Sequence, residues 1–580
     1  MNRLPRWRLL AATAAAVLTI FTLAPCATAT DGAYNVLVFS KTAGFRHDSI
    51  PAGIQALREL GAAGNFTVDA TEDSAVFTGD NLSRYQAVVF LNTTGDVLTD
   101  PQQTALESYV KGGGGWVGVH SAADTEYDWP FYGELVGAWF RSHPAIQDAT
   151  VRVSDRAHPA TAHLEPTWQR NDEWYNYRTN PRPDLHVLAN LDESTYSGGD
   201  MGDHPTAWCH PEGNGRAFYT GGGHTIASYS EPAFRQHLLG GVRYAAGKAH
   251  ADCRPENGYT ALYNGSTAGW TQSGPGSFSN SDATLTSVGG MGLLWYSARK
   301  VASYSLKLDW KLRGDDNSGV YVGIPDSADP VNAAIDKGYE IQIDATDSPD
   351  RTTGAIYGFQ SADLVVRDAN LNPPGEWNTY EITVDGPRQN IQVYLNGVKI
   401  NDFTSTDPGR DISAGYVGIQ NHGDADEVSF RNIRIRETGG GGTPGPTTIQ
   451  AENWSSASGV QTYPHAPAHN GTVLGFVDPG DWAAYDGVDL TGVTSLTARV
   501  ASPGPSGDAG IEIRAGGTTG TRLGVATVPA TGGWESCRDI PVTLSDVPSG
   551  SQSLYLVFTG GGFDVDDFTL NGGGSGRTGS

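Results

Sequence analysis

Polar and apolar residues alternate most clearly in the stretch from residue 338 to residue 344. In a β-strand successive side chains point to opposite faces, so this alternation predicts one polar face and one apolar face. The polar set is Glu340, Gln342 and Asp344, and the apolar set is Tyr339, Ile341 and Ile343. A strand that gathers three polar groups on one face predicts a binding or catalytic site.

The first part of the chain shows a different pattern, in which strand-like and helix-like segments follow one another. Short apolar runs typical of buried parallel strands occupy residues 36–39, 87–91 and 115–119, and helical periodicity marks residues 50–60 and 101–111. We therefore predict an α/β sandwich for residues 34–247. Sheets of this kind place their sites at the carboxyl ends of the strands.

Four polar residues follow predicted strand ends in this segment: His47, His120, Glu173 and His224. We predict that they form one pocket, suited to proton transfer or to a divalent metal ion. Any single histidine could instead cap a helix or bond a backbone carbonyl, and the choice between metal binding and acid–base work stays open.

The motifs FRHDSI at 45–50, GVHSA at 118–122 and GGH at 222–224 carry a family resemblance. They resemble the ThuA-like trehalose-utilisation family, which implies a flavodoxin-like fold related to the class I glutamine amidotransferases. In those glutaminases a nucleophilic cysteine follows the strand, whereas here the corresponding residue is His120. The resemblance therefore excludes amide transfer through a thioester.

The segment around residues 338–344 has several polar-rich companions. These are NSGVYVG at 317–323, TGAIYG at 353–358, EWN at 376–378, VYLNG at 393–397, GIQNH at 418–422 and FRNIRI at 430–435. In order and spacing they resemble the 3-keto-disaccharide hydrolase family over residues 258–437. That resemblance implies a concanavalin-like β-sandwich, or jelly roll, and a glycoside substrate oxidised to a ketone at its third sugar carbon.

A ketone at the third carbon acidifies the hydrogen on the second carbon, so a base could remove it and expel the glycosidic oxygen by elimination, after which water adds back. Direct hydrolysis is the alternative. Such a site needs a base, an acid and a donor or metal ion to hold the enolate. We expect Glu340, Asp344 and His422 to do this work. The residues expected to shape the sugar pocket are Asn317, Gln342, Tyr357, Trp377 and Asn378.

A purely structural interpretation of Glu340 and Asp344 competes with the catalytic one. Glu340 and Asp344 could pair with Arg351 or Arg431 as ordinary charges on a sheet surface. Such pairs contribute little to stability and imply no chemistry.

Residues 438–447 combine flexible glycine with stiff proline and predict a linker. Beyond it, the motifs IQAE at 449–452, GFVDPGDWAAY at 475–485, GGW at 532–534 and FDVDDF at 563–568 resemble family 6 carbohydrate-binding modules. The resemblance covers residues 448–571 and implies a third domain, a β-sandwich, followed by a tail at 572–580.

A sugar-binding cleft needs flat rings and one or two hydrogen-bonding groups, because sugar faces are weakly apolar. The resemblance assigns the rings to Phe476 and Trp534 and the polar anchor to Asp564. The family usually has tyrosine and asparagine in place of Phe476 and Asp564, which puts the preferred sugar in doubt. The resemblance also implies a structural calcium ion, with Gln450, Glu452 and Asp566 in the matching region.

Length and charge agree with a secreted multidomain protein. At 580 residues the chain exceeds one core. Three arginines, an apolar run over residues 9–23 and a small-residue Ala27-Thr28-Ala29 site predict a signal peptide at 1–29. A lipoprotein box ending at Cys26 fits less well because of Pro25. Removal of the signal takes the formal charge from −26 to about −29, which argues against nucleic acid or an anionic membrane as partner.

Three cysteines remain after the predicted signal peptide. In an oxidising compartment Cys209 and Cys253 could join and tie the first domain to its exit segment, leaving Cys537 alone.

Together these observations predict a secreted carbohydrate-active enzyme that binds an oligo- or polysaccharide and cleaves a small keto-glycoside. A non-catalytic, multivalent glycan-binding protein is the alternative, and an ordinary glycosidase is a weaker one. Whether Glu340, Asp344 and His422 surround one pocket would separate the first two interpretations. The sequence gives no prediction of the oligomeric state.

Overall fold

The computed structural model describes residues 32–438, 447–469, 471–490, 493–505, 509–548 and 551–572. The predicted signal peptide at 1–29 lies outside these residues, as do most of the predicted linker at 438–447 and nearly all of the predicted tail at 572–580.

The first domain is an α/β sandwich, as predicted. Its strands are β1 Tyr34–Phe39, β2 Phe66–Thr71, β3 Ala87–Leu91, β4 Gly115–Val119, β5 Phe140–Ser142, β6 Gln147–Val153, β7 Thr167–Asp172, β8 Asn176–Tyr177, β9 His186–Leu191, β10 Pro205–Glu212 and β11 Gly215–Thr220. Its helices are α1 Ile50–Gly64, α2 Gly79–Leu82, α3 Asp100–Lys111, α4 Pro130–Val136 and α5 Pro232–Ala245.

A nine-stranded sheet with the order β2-β1-β3-β4-β11-β10-β9-β6-β7 runs through this domain. The five strands from β2 to β11 are parallel, and the remaining pairs are antiparallel. Strands β3 and β4 are buried throughout because apolar residues cover both faces of the sheet. The parallel order matches the flavodoxin-like arrangement, whose sites lie beyond the carboxyl ends of the strands.

A disulfide joins Cys209 in β10 to Cys253, which lies on the segment that leaves the first domain. The pairing confirms the prediction, and Cys537 is a free thiol. Cys253 therefore fixes the exit segment against the sheet that it has just left.

Buried ion pairs fix the same exit segment to the second domain. Lys307 Nζ lies 2.8 Å from a carboxylate oxygen of Asp252 and 3.1 Å from one of Glu256, and Glu256 also pairs with Arg434. The side chains of Lys307 and Asp252 are both only 2 % exposed. Because an unpaired buried charge costs several kcal/mol, these pairs hold the segment in one position.

The second domain is a β-sandwich, as predicted. Its strands are β12 Thr260–Tyr263, β13 Trp270–Ser273, β14 Ser277–Ser281, β15 Thr284–Val288, β16 Gly292–Tyr296, β17 Tyr304–Leu312, β18 Asn317–Ile324, β19 Tyr339–Asp344, β20 Asn378–Asp385, β21 Asn390–Leu395, β22 Val398–Thr404, β23 Tyr416–Asn421 and β24 Val428–Glu437. Two short helices, α6 Pro330–Lys337 and α7 Leu364–Asp368, complete it.

One sheet of the second domain has eight strands, in the order β14-β15-β24-β17-β20-β21-β22 with β12 also paired to β24. The other has five, in the order β13-β16-β23-β18-β19. The inward faces of the two sheets share one hydrophobic core. Helix α6 covers part of the outward face of the five-stranded sheet, where Ala334 packs against Tyr321 and Leu293.

The third domain is also a β-sandwich. Its strands are β25 Thr447–Gln450, β26 Ser456–Ser458, β27 Gln461–Pro464, β28 Thr472–Gly475, β29 Trp482–Asp489, β30 Val493–Ser502, β31 Gly510–Ala515, β32 Thr521–Thr527, β33 Gly533–Thr543, β34 Ser551–Phe558 and β35 Asp564–Gly572. They form a sheet with the order β27-β28-β35-β30-β33, to which β25 adds, and a second with the order β26-β29-β34-β31-β32. A separate core lies between them.

Among the described residues, no helix combines the length and the apolar character that crossing a membrane would require.

We predict that loss of the disulfide destabilises the first domain. Cys209 and Cys253 are 44 residues apart, and closing a loop of that length lowers the entropy of the unfolded chain by an amount worth about 4 kcal/mol at 25 °C. The paired substitutions Cys209→Ser and Cys253→Ser should therefore lower the free energy of unfolding by roughly 2–4 kcal/mol in chemical denaturation. Cys537→Ser is the control and should change nothing; equal stability of all three proteins would contradict the assigned pairing.

Candidate functional site

The outward face of β18 and β19 carries the polar residues that the sequence pattern indicated. Antiparallel pairing places three residues of β19 opposite three of β18: Glu340 opposite Tyr321, Gln342 opposite Gly319, and Asp344 opposite Asn317. The alternate residues Tyr339, Ile341 and Ile343 lie in the core. The predicted division of the strand into two faces is confirmed.

Glu340 is the most perturbed acid on this face. Its residue is only 8 % exposed, and the Tyr321 hydroxyl donates a hydrogen bond of 2.7 Å to Oε2. Burial raises the pKa of Glu340 to about 7, although the Tyr321 hydrogen bond opposes the shift. A carboxyl group with such a pKa can give or take a proton near neutral pH.

Three oxygen acceptors on this face have no hydrogen-bond donor within the described part of the chain. They are Oε1 of Glu340, Oε1 of Gln342 and Oε1 of Gln420, all buried. The Gln420 amide donates to the Tyr321 hydroxyl at 3.3 Å, which links Gln420 to Glu340 through one ring. A buried acceptor without a donor costs about 1–3 kcal/mol, so this face lacks donors that a ligand rich in hydroxyl groups would supply.

Gly319 provides the space that Glu340 occupies. It lies in the middle of β18, and a Cβ atom built on it would overlap the Glu340 side chain. A glycine inside a strand often marks such a close approach.

Neighbouring groups donate hydrogen bonds to both carboxylate oxygens of Asp344. Its Oδ2 accepts a 2.7 Å hydrogen bond from the Asn317 amide, and its Oδ1 accepts from the backbone N–H groups of Thr346 and Asp347, each at 2.8 Å. Four residues along a strand separate it from Glu340, which corresponds to roughly 13 Å. Asp344 therefore positions Asn317 and, through it, the Gln342 amide, which donates to Asn317 at 3.3 Å.

His422 and Tyr357 lie at the rim of this face. The side chain of His422 is 51 % exposed, and its Nδ1 lies 2.8 Å from Asp426. Asp426 also accepts from the Asn317 backbone N–H at 3.1 Å, which places His422 near the Asp344 end. The exposed ring of Tyr357 lies next to Glu340, since the Tyr357 N–H donates to the Glu340 carbonyl at 3.0 Å.

Two residues predicted to shape the sugar pocket lie elsewhere. Trp377 is buried beside the eight-stranded sheet, with the Arg431 guanidinium 3.6 Å from its ring centroid. Asn378 begins β20, where its side chain bonds the backbone of Asn372 and the amide of Asn396. Both residues make their contacts at the start of β20 in the eight-stranded sheet. They are therefore not part of the Glu340 face.

The ordinary-charge interpretation of Glu340 and Asp344 finds no ion pair to support it among the described residues. Arg351 lies over the Tyr357 ring at 5.4 Å, and Arg431 lies over Trp377. Neither guanidinium pairs with either carboxylate.

The first domain holds a second constellation, which the fold builds around a sharp turn. His120 follows β4 directly, has a left-handed φ of 50°, and starts a short 3-10 helix. Such a φ is uncommon for a residue with a side chain and clusters at functional sites. The turn aims the buried His120 ring across the carboxyl end of the sheet.

His47, His120, Glu173 and His224 converge there. One ligand atom from each lies within 4.8 Å of those from the other three. The His120 Nε2 atom is 3.2 Å from His224 Nδ1, and Glu173 Oε2 is 3.1 Å from His224 Nδ1 and 3.4 Å from His120 Nε2. The sequence-based grouping of these four residues matches the geometry.

The electrostatics of this cluster follow from its burial and its mixed charges. Burial, followed by the neighbouring His120 and His224, lowers the pKa of His47 to about 3, so His47 is neutral near pH 7. Burial alone would raise the pKa of Glu173, but hydrogen bonds and charges from His120 and His224 hold it well below its usual range. Glu173 in turn raises the pKa of His224 against the effect of burial.

Asp172 and His143 support the cluster, and sequence reasoning did not select either. The buried Asp172 carboxylate accepts from the backbone N–H groups of Gly223 at 2.8 Å and His224 at 3.1 Å. His143 Nδ1 lies 3.0 Å from the second oxygen of Glu173. Asp172 ends β7 and immediately precedes Glu173. Two neighbouring acids at a strand end were the signal in the sequence that could have identified Asp172.

The third domain presents two exposed rings beside one buried carboxylate. Phe476 is 61 % exposed and Trp534 is 41 % exposed, whereas Asp564 is buried. Tyr463 donates a hydrogen bond to Asp564, and its ring lies 5.5 Å from that of Phe476, edge to face. Strand register brings Trp534 to the same end, because Asp564 pairs with Ala501 and the next residue, Ser502, pairs with Gly533.

Tyr463 is the residue that sequence reasoning missed in this cleft. It donates its one hydroxyl proton to the carboxylate that stands where asparagine is usual, so the Tyr463 and Asp564 pair presents acceptor oxygens.

The three residues expected to hold calcium fit an ion only in part. The buried Oε1 of Gln450 has no donor within the described residues, as a calcium ligand would require. The Asp566 carboxylate, however, accepts from Arg499 at 3.0 Å and from the His469 backbone N–H. Burial raises the pKa of Tyr485, and the nearby Glu452 carboxylate raises it further. Calcium at this position stays a prediction, and in this structure the Asp566 carboxylate bonds Arg499 and the His469 N–H group instead.

Comparison with known families agrees with this division of the chain. Residues 35–245 match the family described as Trehalose utilisation, or ThuA, residues 258–436 match the 3-keto-alpha-glucoside-1,2-lyase-like domain, and residues 450–572 match the Carbohydrate binding module of family 6. The chain carries these three domains in this order. We refer to them as the ThuA domain, the lyase-like domain and the family 6 module.

Individual relatives cover single parts of the chain. An endo-1,4-beta-xylanase A of Thermoclostridium stercorarium is 28% identical over 191 residues, which are 33% of this chain and 26% of the relative. The chain therefore spans about a quarter of that relative's length. A solved ThuA-like protein from Bacteroides uniformis is 23% identical and matches 39% of this chain and 96% of its own, with a TM-score of 0.35. A family 6 module from Clostridium cellulolyticum, solved with xylose, is 37% identical and matches 21% and 95%, with a TM-score of 0.20.

We predict that Glu340 makes the stability of the lyase-like domain depend on pH. Its folded pKa of about 7 lies above the ordinary value of 4.5, so the folded state binds more protons between these pH values. Stability should fall as pH rises from about 4.5 to about 7, by about 3 kcal/mol, and stay level above that range.

The substitution Glu340→Gln should remove this fall, whereas Glu427→Gln, an exposed carboxylate of the same domain, should leave it in place. Denaturant unfolding of the three proteins at pH 4.5 and pH 8 measures the difference. An identical pH dependence in Glu340→Gln and the unmodified protein would contradict a buried, proton-binding Glu340.

Proposed function

We propose that the protein is a secreted carbohydrate-active enzyme whose lyase-like domain cleaves 3-keto-glycosides and whose family 6 module holds the glycan. One observation carries the first part: Glu340, a carboxyl group whose burial raises its pKa to about 7, shares one sheet face with Gln342 and Gln420, and each of the three has a buried oxygen acceptor that no donor among the described residues satisfies. Sugar hydroxyl groups are the donors that such a face lacks.

Glu340 is the proposed base. Tyr321 donates to its Oε2, and its Oε1 is buried without a donor among the described residues, so we propose that this oxygen takes the proton from the second sugar carbon, which the neighbouring ketone acidifies, once a sugar is bound. The electron pair of that C–H bond forms the double bond between the first and second carbons as the bond to the glycosidic oxygen breaks. The leaving oxygen takes up a proton from solvent, and Glu340 returns its proton to solvent. Water then adds across the double bond, with its hydroxyl on the first carbon and its hydrogen on the second.

The other residues of the face orient the sugar. Tyr357 presents an exposed ring beside Glu340, where it can stack on a sugar face. Gln342 and Gln420 each present a side-chain oxygen that can accept a hydroxyl hydrogen of the sugar. Asp344 acts through Asn317, and His422 faces solvent at the rim.

A non-catalytic glycan-binding function is the second candidate, and one observation favours it. Glu340 and Asp344 lie at opposite ends of one strand rather than around a single atom, and Asp344 accepts hydrogen bonds from the Asn317 amide and from two backbone N–H groups. A protein that only binds glycans would need the same orphan acceptors but no proton-transferring Glu340.

Support for the glycan-binding part comes from the family 6 module itself. Its two exposed rings flank the Tyr463 and Asp564 pair, which is the combination of flat apolar surface and polar anchor that sugar recognition needs. The similarity to a xylanase makes xylan the first polysaccharide to test.

We predict that the protein cleaves a 3-keto-disaccharide and leaves its unoxidised parent intact. The reaction should speed up as pH rises through about 7, because a base must lose its proton first. In D₂O the product should carry deuterium at the second carbon, since that carbon loses its proton and regains one from solvent. Direct hydrolysis would leave this position unlabelled, and binding without turnover of either sugar would favour the non-catalytic candidate.

Two variants should test the role of Glu340, one by removing its carboxylate and the other by displacing it. Glu340→Gln removes the base and Gly319→Ala displaces it by overlap, and each should lower kcat/KM at least about a hundredfold. Glu427→Gln is the control and should keep full activity. Unchanged turnover in both Glu340→Gln and Gly319→Ala would show that the cleavage site lies elsewhere.

We predict that ring stacking supplies most of the affinity of the family 6 module for xylan or another polysaccharide. Trp534→Ala should abolish most binding and Phe476→Ala should weaken it, in affinity electrophoresis of the full chain. Val525→Ala is the matched control, because Val525 is similarly exposed but lies on β32 of the opposite sheet. Equal retardation of Trp534→Ala and the unmodified protein would show that the cleft is wrongly placed.

A further inference from the structure

The spacing of three polar atoms in the ThuA domain fits the first coordination sphere of an ion. His120 Nε2, His224 Nδ1 and Glu173 Oε2 are separated pairwise by 3.2, 3.1 and 3.4 Å. Ligands bound at about 2.0–2.2 Å, with angles between those of octahedral and tetrahedral sites, are about 3.0–3.5 Å apart. His47 offers a fourth ligand atom within 4.8 Å of the others.

When the imidazoles are neutral, the cluster has too few N–H protons to place a hydrogen bond in every contact among His120 Nε2, His224 Nδ1 and Glu173 Oε2. His120 Nδ1 lies 2.8 Å from the Gly221 carbonyl, which only accepts, so Nδ1 carries the ring proton and Nε2 presents a lone pair. That lone pair faces the Glu173 carboxylate and the His224 ring. One proton on His224 Nδ1 can bridge one of these contacts, and the remaining contact joins two acceptors, an arrangement that a cation at their centre would stabilise.

Surrounding groups hold three of the four side chains as metal ligands are usually held. The bond from His120 Nδ1 to a backbone carbonyl fixes its tautomer, and the Tyr219 hydroxyl donates to the His120 carbonyl at 2.8 Å. His143 lies 3.0 Å from the Glu173 oxygen that faces away from His120 and His224. Asp172 fixes the loop that carries His224. Support of this kind is characteristic of metal-ligating histidines and carboxylates.

We propose that the ThuA domain holds a divalent first-row transition metal ion through His47, His120, Glu173 and His224. Three imidazoles and one carboxylate suit zinc best, because it favours nitrogen ligands and tolerates four-coordinate sites. This metal centre is independent of the Glu340 face and goes beyond the function proposed for the lyase-like domain.

Two other groups of donors among the described residues are less suitable. His158 lies near Cys209 and Cys253, but the disulfide uses both sulfur atoms. His469 lies near Asp566 and Asp567, but Arg499 already neutralises Asp566. The ThuA cluster is the group in the described chain whose ligand atoms are not already committed to a disulfide or a guanidinium.

The test is direct metal binding by the full-length protein. After treatment with a chelator, the protein is titrated calorimetrically with Zn²⁺, and separately with Co²⁺ while visible absorption reports nitrogen ligation. We expect saturable binding of one ion that Glu173→Gln and His224→Ala each weaken at least about a hundredfold, and that His143→Ala weakens about tenfold. His163→Ala and His469→Ala, which alter histidines outside the cluster, should bind as the unmodified protein does.

Several outcomes would overturn the proposal. They are the absence of saturable Zn²⁺ binding, unchanged binding in both Glu173→Gln and His224→Ala, and loss of binding in His469→Ala instead. Should the ligand variants fail to fold, the Co²⁺ spectrum of the unmodified protein still decides the matter, because a spectrum without nitrogen ligands is incompatible with a site of three histidines.

Discussion

The short segment between the first two domains constrains both of them. A covalent bond at Cys253 ties it to β10, and one residue earlier Asp252 meets Lys307 of β17. Lys307 is almost completely buried, so its charge requires these partners, and only one placement of the segment supplies them. The two domains therefore share a junction that neither could complete alone.

The two enzyme-like domains solve the problem of a buried polar site in opposite ways. The ThuA domain surrounds one carboxylate, Glu173, with imidazoles, so that its negative charge is balanced within the cluster. The lyase-like domain instead buries Glu340 on a face with other acceptors, where Tyr321 is the side-chain donor that it has among the described residues. The first arrangement suits a cation and the second suits a ligand that brings donors of its own.

The sequence predicted the fold more fully than the sites. Period-two alternation at residues 339–344 and the apolar runs of β3 and β4 depend on local burial, which a sequence pattern records directly. Gly319 and Tyr321 were missed because their importance depends on a register between two strands. Trp377 was misplaced because its motif lies at the start of a strand in the other sheet, a fact that no local pattern contains.

The donor-poor face around Glu340 also bears on how this domain would respond to selection or engineering for heat resistance. Replacing Glu340, Gln342 or Gln420 by apolar residues would remove orphan acceptors and strengthen the empty fold. The same replacements would erase the groups proposed to meet the sugar. On that proposal, a screen for thermostability alone would enrich inactive variants at these positions.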